Sequence, residues 1–179
     1  LAMKKVTRKA SRATRPNPFA TFPAYLCCFT DIGSFELLNT RKMYPAELVA
    51  PMTRDLTTVG FEPLQTPQQV VDVLENQTGT ALLVVNSVCG CAAANARPGV
   101  KIALQNEKQP EKLYTVFAGV DTEATAMARE FLLPYPPSSP AIALFKDGRL
   151  VHFLERHHIE GRSAMMIAEN LKAAFNDFC

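Results

Sequence analysis

A chain of 179 residues, 47% of them apolar, is long enough for one domain with a proper core and an extension. No apolar run reaches the ~20 residues of a membrane-spanning helix. Five cysteines, an odd number without a spaced framework, speak against a disulfide-stapled secreted fold and for a reducing compartment, the cytoplasm. Charge divides the chain: residues 1–42 hold eight Lys and Arg against Asp31 and Glu36, while residues 43–179 carry a net charge of −4, which argues against a nucleic-acid surface there.

Residues 1–42 do not read as core. Six basic residues from Lys4 to Arg15 precede a stretch broken by Pro16, Pro18 and Pro23. Basic and acid-poor is a transit-peptide composition; the alternative is a natural start at Met43. Cys27-Cys28 is read as incidental. The expected division is a basic N-terminal extension over 1–42, poorly ordered or non-native, and a folded domain over 43–179.

From Met43 the signals become regular. Leu48, Val49, Met52, Leu56 and Val59 form one apolar face at helical spacing, ended by Gly60. Phe61–Leu64 is a short extended segment that Pro63 confines to an edge. Thr66-Pro67-Gln68-Gln69 is a capping box that opens a second helix, stopped by Gly79. A buried strand over 80–87 follows, then a helix to about Asn106 with a kink at Pro98. Lys112–Val120 reads as a strand. Asp121 or Thr122 caps a helix carrying Ala124, Met127, Ala128 and Phe131. After a proline-rich loop, Ala141–Lys146 and Arg149–Leu154 flank Asp147-Gly148, a hairpin signal. Ser163 caps a last helix with Ile167, Leu171, Ala174 and Phe175 inward. Strands alternate with helices, and a hairpin and helix close the chain. That is an α/β fold with a terminal antiparallel pair.

The chemistry concentrates at Ala81–Asn95. An apolar run without interruption reads as a strand buried on both faces, an alanine-rich segment as helix, and Cys89-Gly90-Cys91 lies at their junction. A thiol at a helix N-terminus faces free backbone N–H groups and the positive end of the dipole, which favour the nucleophilic thiolate. Residues i and i+2 of a regular helix cannot meet. The two cysteines therefore pair only if the backbone bends, and Gly90 is the residue that tolerates a bend. The plainer alternative is two buried cysteines packed as small hydrophobes.

Met43-Tyr-Pro-Ala-Glu-Leu-Val-Ala-Pro-Met52, Val85–Cys91, Ala96-Arg-Pro98, Ser138-Ser-Pro140 and Glu155-Arg-His-His-Ile-Glu-Gly-Arg162 together resemble the bacilliredoxins, small bacterial thiol proteins related to thioredoxin. The resemblance implies a thioredoxin-like α/β fold, a central mixed sheet flanked by helices, with an extra N-terminal helix. It implies thiol–disulfide exchange and removal of bacillithiol from S-thiolated proteins, with disulfide isomerase or reductase activity as the alternative. No bound cofactor is implied; bacillithiol or another small thiol is the co-substrate, and S-thiolated or disulfide-bonded proteins are the partners. By the same match, Cys89 is the attacking thiol and Cys91 the resolving one. Pro140 is the cis-proline facing them, and Ser139 presents backbone to the substrate. Two features depart from ordinary thioredoxins: the chain has no Trp, and Leu83 stands where thioredoxins bury an aspartate.

Other residues carry weaker readings. His157, His158 and Glu160 could join the cysteines at a metal, but adjacent histidines are not a standard zinc spacing, and no metal is expected. Arg97 either attracts the carboxylates of a small thiol or lies on the helix surface. A redox-switched binding module without turnover is the reading from another functional class.

Overall fold

The computed structural model describes residues 44–179; the extension, with Cys27-Cys28, lies outside the described residues. The elements in chain order are α1 (Ala46–Thr57), β1 (Glu62–Pro63), α2 (Pro67–Leu74), β2 (Thr80–Asn86), α3 (Arg97–Ala103), β3 (Lys112–Phe117), α4 (Thr122–Glu130), β4 (Ala141–Lys146), β5 (Arg149–Leu154), α5 (Arg156–Ile159) and α6 (Ala164–Phe178). The strands form one sheet in the order β1-β3-β2-β4-β5. β1 and β2 run parallel to β3, while β4 is antiparallel to both β2 and β5.

β2 is central because every one of its residues is buried. Leu82 and Val84 enter one core with Leu56, Val100, Ile142, Leu144, Leu171 and Phe175. Ala81, Leu83 and Val85 point the other way, into a second core with Val70, Leu74, Val116, Ala124 and Phe145. Alternation along the strand thus feeds two helical layers. Each fully buried Leu, Ile or Phe contributes about 1.5–3 kcal/mol relative to leaving it exposed.

Local signals set several boundaries. The Thr66 hydroxyl accepts the Gln69 N–H, and the Gln69 side chain returns to the Thr66 N–H. Ser163 Oγ accepts the Met166 N–H. Asp147 and Gly148 have φ of +49° and +72°, as a two-residue hairpin of the primed type requires.

Four expectations need correction. Leu48 and Val59 are exposed, at 49% and 36%. α1 meets the body through the narrow stripe of Val49 and Leu56, spaced two turns apart, so flanking positions stay outside. β3 ends at Phe117 and not at Val120, because the chain turns there: Val120 and Asp121 donate their N–H groups to the Phe117 carbonyl. The irregularity assigned to Pro98 lies one turn earlier, where Ala92–Ala96 form a π-turn and the Arg97 N–H reaches back to the Ala92 carbonyl. Proline cannot donate to the carbonyl four residues before it, and widening the preceding turn is one way to absorb that loss. The short helix α5 was not read from the sequence at all.

Candidate functional site

Cys89 occupies the bend between β2 and the helix, and its carbonyl accepts the N–H groups of Ala92 and Ala93. The Ala92 N–H also points at Cys89 Sγ, at 3.4 Å, so the thiol caps the helix much as a serine would. Ser87 Oγ lies 3.2 Å from the same sulfur, and Cys91 Sγ lies 2.6 Å away. Both cysteines are free and half-buried. The sulfurs meet because Cys89 precedes the regular backbone, not because of Gly90. Gly90 lies in the first helical turn, lacks a positive φ, and would have nothing within 4 Å of an added Cβ. The expected role of glycine as the bend is therefore not the one it fills.

The environment separates the thiols. Burial alone would raise Cys89, but hydrogen bonds to Cys91, Ser87 and the Ala92 N–H, with the nearby charge of Arg156, bring it below the ordinary thiol value. Cys91 is raised, first by burial and then by its hydrogen bond to Cys89 and the charge developing there. Arg156 is the cation whose charge acts on both sulfurs, and its own pKa is raised by Glu160 and by the two cysteines.

Arg97 is neither a surface residue nor a free guanidinium. It is 4% exposed. It donates to Asp55, to the Asn86 side chain and to the Ser87 carbonyl. Asn86 in turn donates to the Met52 carbonyl and accepts the Ser87 N–H. Charge buried at this depth needs such pairing. Arg97 therefore fastens the strand end that carries Cys89 to α1 and is not among the residues that line the Cys89 cleft.

Ser139 lines the same cleft as Cys89, and its carbonyl accepts from Arg156. The Ser139–Pro140 peptide bond is cis, as is Leu133–Pro134, and Pro140 is buried. The cleft holds about 390 Å³ and is also bordered by Ser87, Thr122, Thr125, Arg129 and Arg156. Among the described residues, the carboxylate and imidazole groups that cluster are Glu155, His157 and His158. Neither cysteine joins them, and Glu160 pairs with Arg156 instead. Arg156 was the principal omission from the sequence reading. Its segment was visible, but its approach to Cys89 depends on β5 ending at the same edge as β2, which no local pattern reveals.

A five-stranded mixed sheet with this strand order, helices on both faces and a cysteine pair after the central strand defines a thioredoxin-like protein carrying an additional helix α1. The profile of the family described as Disulphide isomerase matches residues 44–179. A bacilliredoxin of Cytophaga hutchinsonii is 60% identical over 135 residues, 75% of this chain and 99% of that protein. One of Halalkalibacterium halodurans is 49% identical over 136 residues, 76% of this chain and 94% of the relative. Mitochondrial thioredoxin 3 of Saccharomyces cerevisiae superposes with a TM-score of 0.46 at 15% identity, covering 69% of this chain and 98% of that one. The chain belongs to the bacilliredoxin family. Membership and fold together support a thiol–disulfide redox function.

Proposed function

We propose that this protein removes a small thiol, bacillithiol or a close equivalent, from S-thiolated proteins through Cys89. The observation that carries the reading is the hydrogen-bonded Cys89 thiol at the helix start, with a second thiol in contact. The Cys89 thiolate attacks the small-thiol sulfur of the mixed disulfide. The S–S bond between the target and the small thiol breaks, the target leaves as a thiolate that keeps its own sulfur, and the small thiol becomes disulfide-linked to Cys89. Cys91, once deprotonated, attacks Cys89 Sγ, forming Cys89–Cys91 and expelling the small thiol. Burial raises the Cys91 thiol and so disfavours this second step, and an external thiol can complete the cycle by attacking the adduct. Arg156 offsets the negative charge at both sulfurs, and Ser139, joined to Pro140 by a cis peptide bond, borders the cleft by which the substrate approaches.

Incubation of the reduced protein with bacillithiol disulfide, glutathione disulfide and cystine, followed by intact-mass and fragment analysis, tests this reading. Cys91→Ala is expected to accumulate an adduct on Cys89, and Cys89→Ala to form none in this pair. An adduct on Cys91 of the Cys89→Ala protein at comparable rate would reverse the roles. Disulfide isomerisation is the second reading, favoured by the family's description. It requires the Cys89 adduct to be a whole protein that persists long enough to re-pair, and recovery of activity from a scrambled substrate protein measures it.

A further inference from the structure

α4 turns two different faces to its surroundings. Ala124 and Ala128 enter the core, whereas Thr122, Thr125 and Arg129, spaced three and four residues apart, border the cleft that holds Cys89. Thr125 is 2% exposed, yet its Oγ1 has no hydrogen-bond partner among the described residues. The same holds for the buried Nε of Arg129. No ion pair among the described residues involves Arg129, while the other arginine of the cleft, Arg156, is engaged by Glu160 and the Ser139 carbonyl. Buried polar atoms are seldom left without partners, because each costs its full desolvation. Thr125 and Arg129, one helical turn apart, both border the cleft, and a guanidinium with no carboxylate partner among the described residues asks for an anionic acceptor oxygen.

We propose that Arg129 and Thr125 form a subsite for a carboxylate of the small thiol that Cys89 takes up. This rests on the exchange reading above and specifies its substrate class: thiols that carry a carboxylate, as amino-acid-derived thiols do. In the exchange step the Cys89 thiolate attacks one sulfur of the disulfide, that S–S bond breaks, and the other half leaves as a thiolate. The half that stays is the one whose carboxylate reaches α4. A cleft of about 390 Å³ suits a molecule of that size.

The test compares the rates at which full-length Cys91→Ala protein takes up one half of glutathione disulfide, which bears carboxylates, and of hydroxyethyl disulfide, which is uncharged. The readout is the ratio of the two rates. Arg129→Met is expected to lower the ratio by about tenfold, the loss of one charge-assisted hydrogen bond. Arg129→Lys recovers part of it, and Thr125→Val lowers it by about threefold, as loss of one neutral hydrogen bond would. An unchanged ratio in both Arg129→Met and Thr125→Val overturns the subsite and leaves the exchange reading standing. An equal fall of both rates, with a lower melting temperature, assigns Arg129 to structure and also overturns it. Failure of the parent Cys91→Ala protein to take up either disulfide at Cys89 overturns the exchange reading, and the subsite with it.

Discussion

At Cys89 the thiol loses water but gains three hydrogen-bonding neighbours, and the gain prevails. Ser87 is the one of these most easily removed. Ser87→Ala is expected to raise the Cys89 pKa and to slow its alkylation on the acid side of the ordinary thiol range, where a depressed thiol supplies more thiolate. The pH–rate profile with iodoacetamide checks the direction; an unchanged midpoint would show that Ser87 contributes nothing to the thiolate. The linkage to stability has a defined sign. A lowered Cys89 value favours the folded state above the ordinary thiol pKa, and this contribution is lost as pH falls through the folded value; the raised Cys91 value acts in the opposite sense. At this scale the sequence was informative about which residues react and poor about what surrounds them. Cys89 and Cys91 stand out in any reading of 81–95. The burial of Arg97 does not, because its partners Asp55 and Asn86 come from another helix and from the strand end.

The element that carries the site, the π-turn and α3, is held from two sides. On one side Asp55 of α1 accepts from Arg97 and Lys101. Its carboxyl lies below the usual range, chiefly through the Lys101 hydrogen bond, with burial opposing and Arg97 assisting. Asp55→Ala is expected to destabilise the fold by about 1–2 kcal/mol, less than for a fully buried pair because this carboxylate is itself partly exposed. Since the folded value lies below the unfolded one, the contribution is complete above the ordinary carboxylate pKa and lost as pH falls through the folded value. Urea unfolding at neutral pH and at about pH 3 measures both, and Asp55→Asn should show a shallower loss on the acid side. On the other side α3 packs on α6 at Gly99, where an added Cβ would fall 2.8 Å from Ile167 Cγ2 and 3.0 Å from the Ala164 carbonyl. Gly99→Ala is therefore expected to cost about 1–3 kcal/mol by overpacking, despite the better helix propensity of alanine. A stabilised variant in thermal melting would contradict that contact. The periodic helices and the hairpin were legible because their signals are local. α5 and the π-turn were not, since a one-turn helix has no period and the π-turn depends on how Pro98 is accommodated.

For the whole molecule, the family match begins at residue 44, and among the described residues the two cores are built from residues beyond Val49. A chain shortened to start at Met43 is accordingly expected to keep its melting temperature and its exchange rate; a loss of several degrees would show that the extension belongs to the domain. The alternation of strands and helices disclosed the fold class, whereas the approach of Arg156 and α4 to Cys89 arises only when the sheet assembles in the order β1-β3-β2-β4-β5. The account rests most directly on Cys89 being the more reactive thiol of this assembled site. Competitive alkylation of the fully reduced protein with limiting iodoacetamide at about pH 7, mapped by peptide fragmentation, measures this without any substitution. Cys89 is expected to be modified ahead of Cys91 and of Cys179, an exposed residue whose thiol is nonetheless raised by partial desolvation. Modification of Cys91 before Cys89, or of Cys89, Cys91 and Cys179 at one rate, would contradict it.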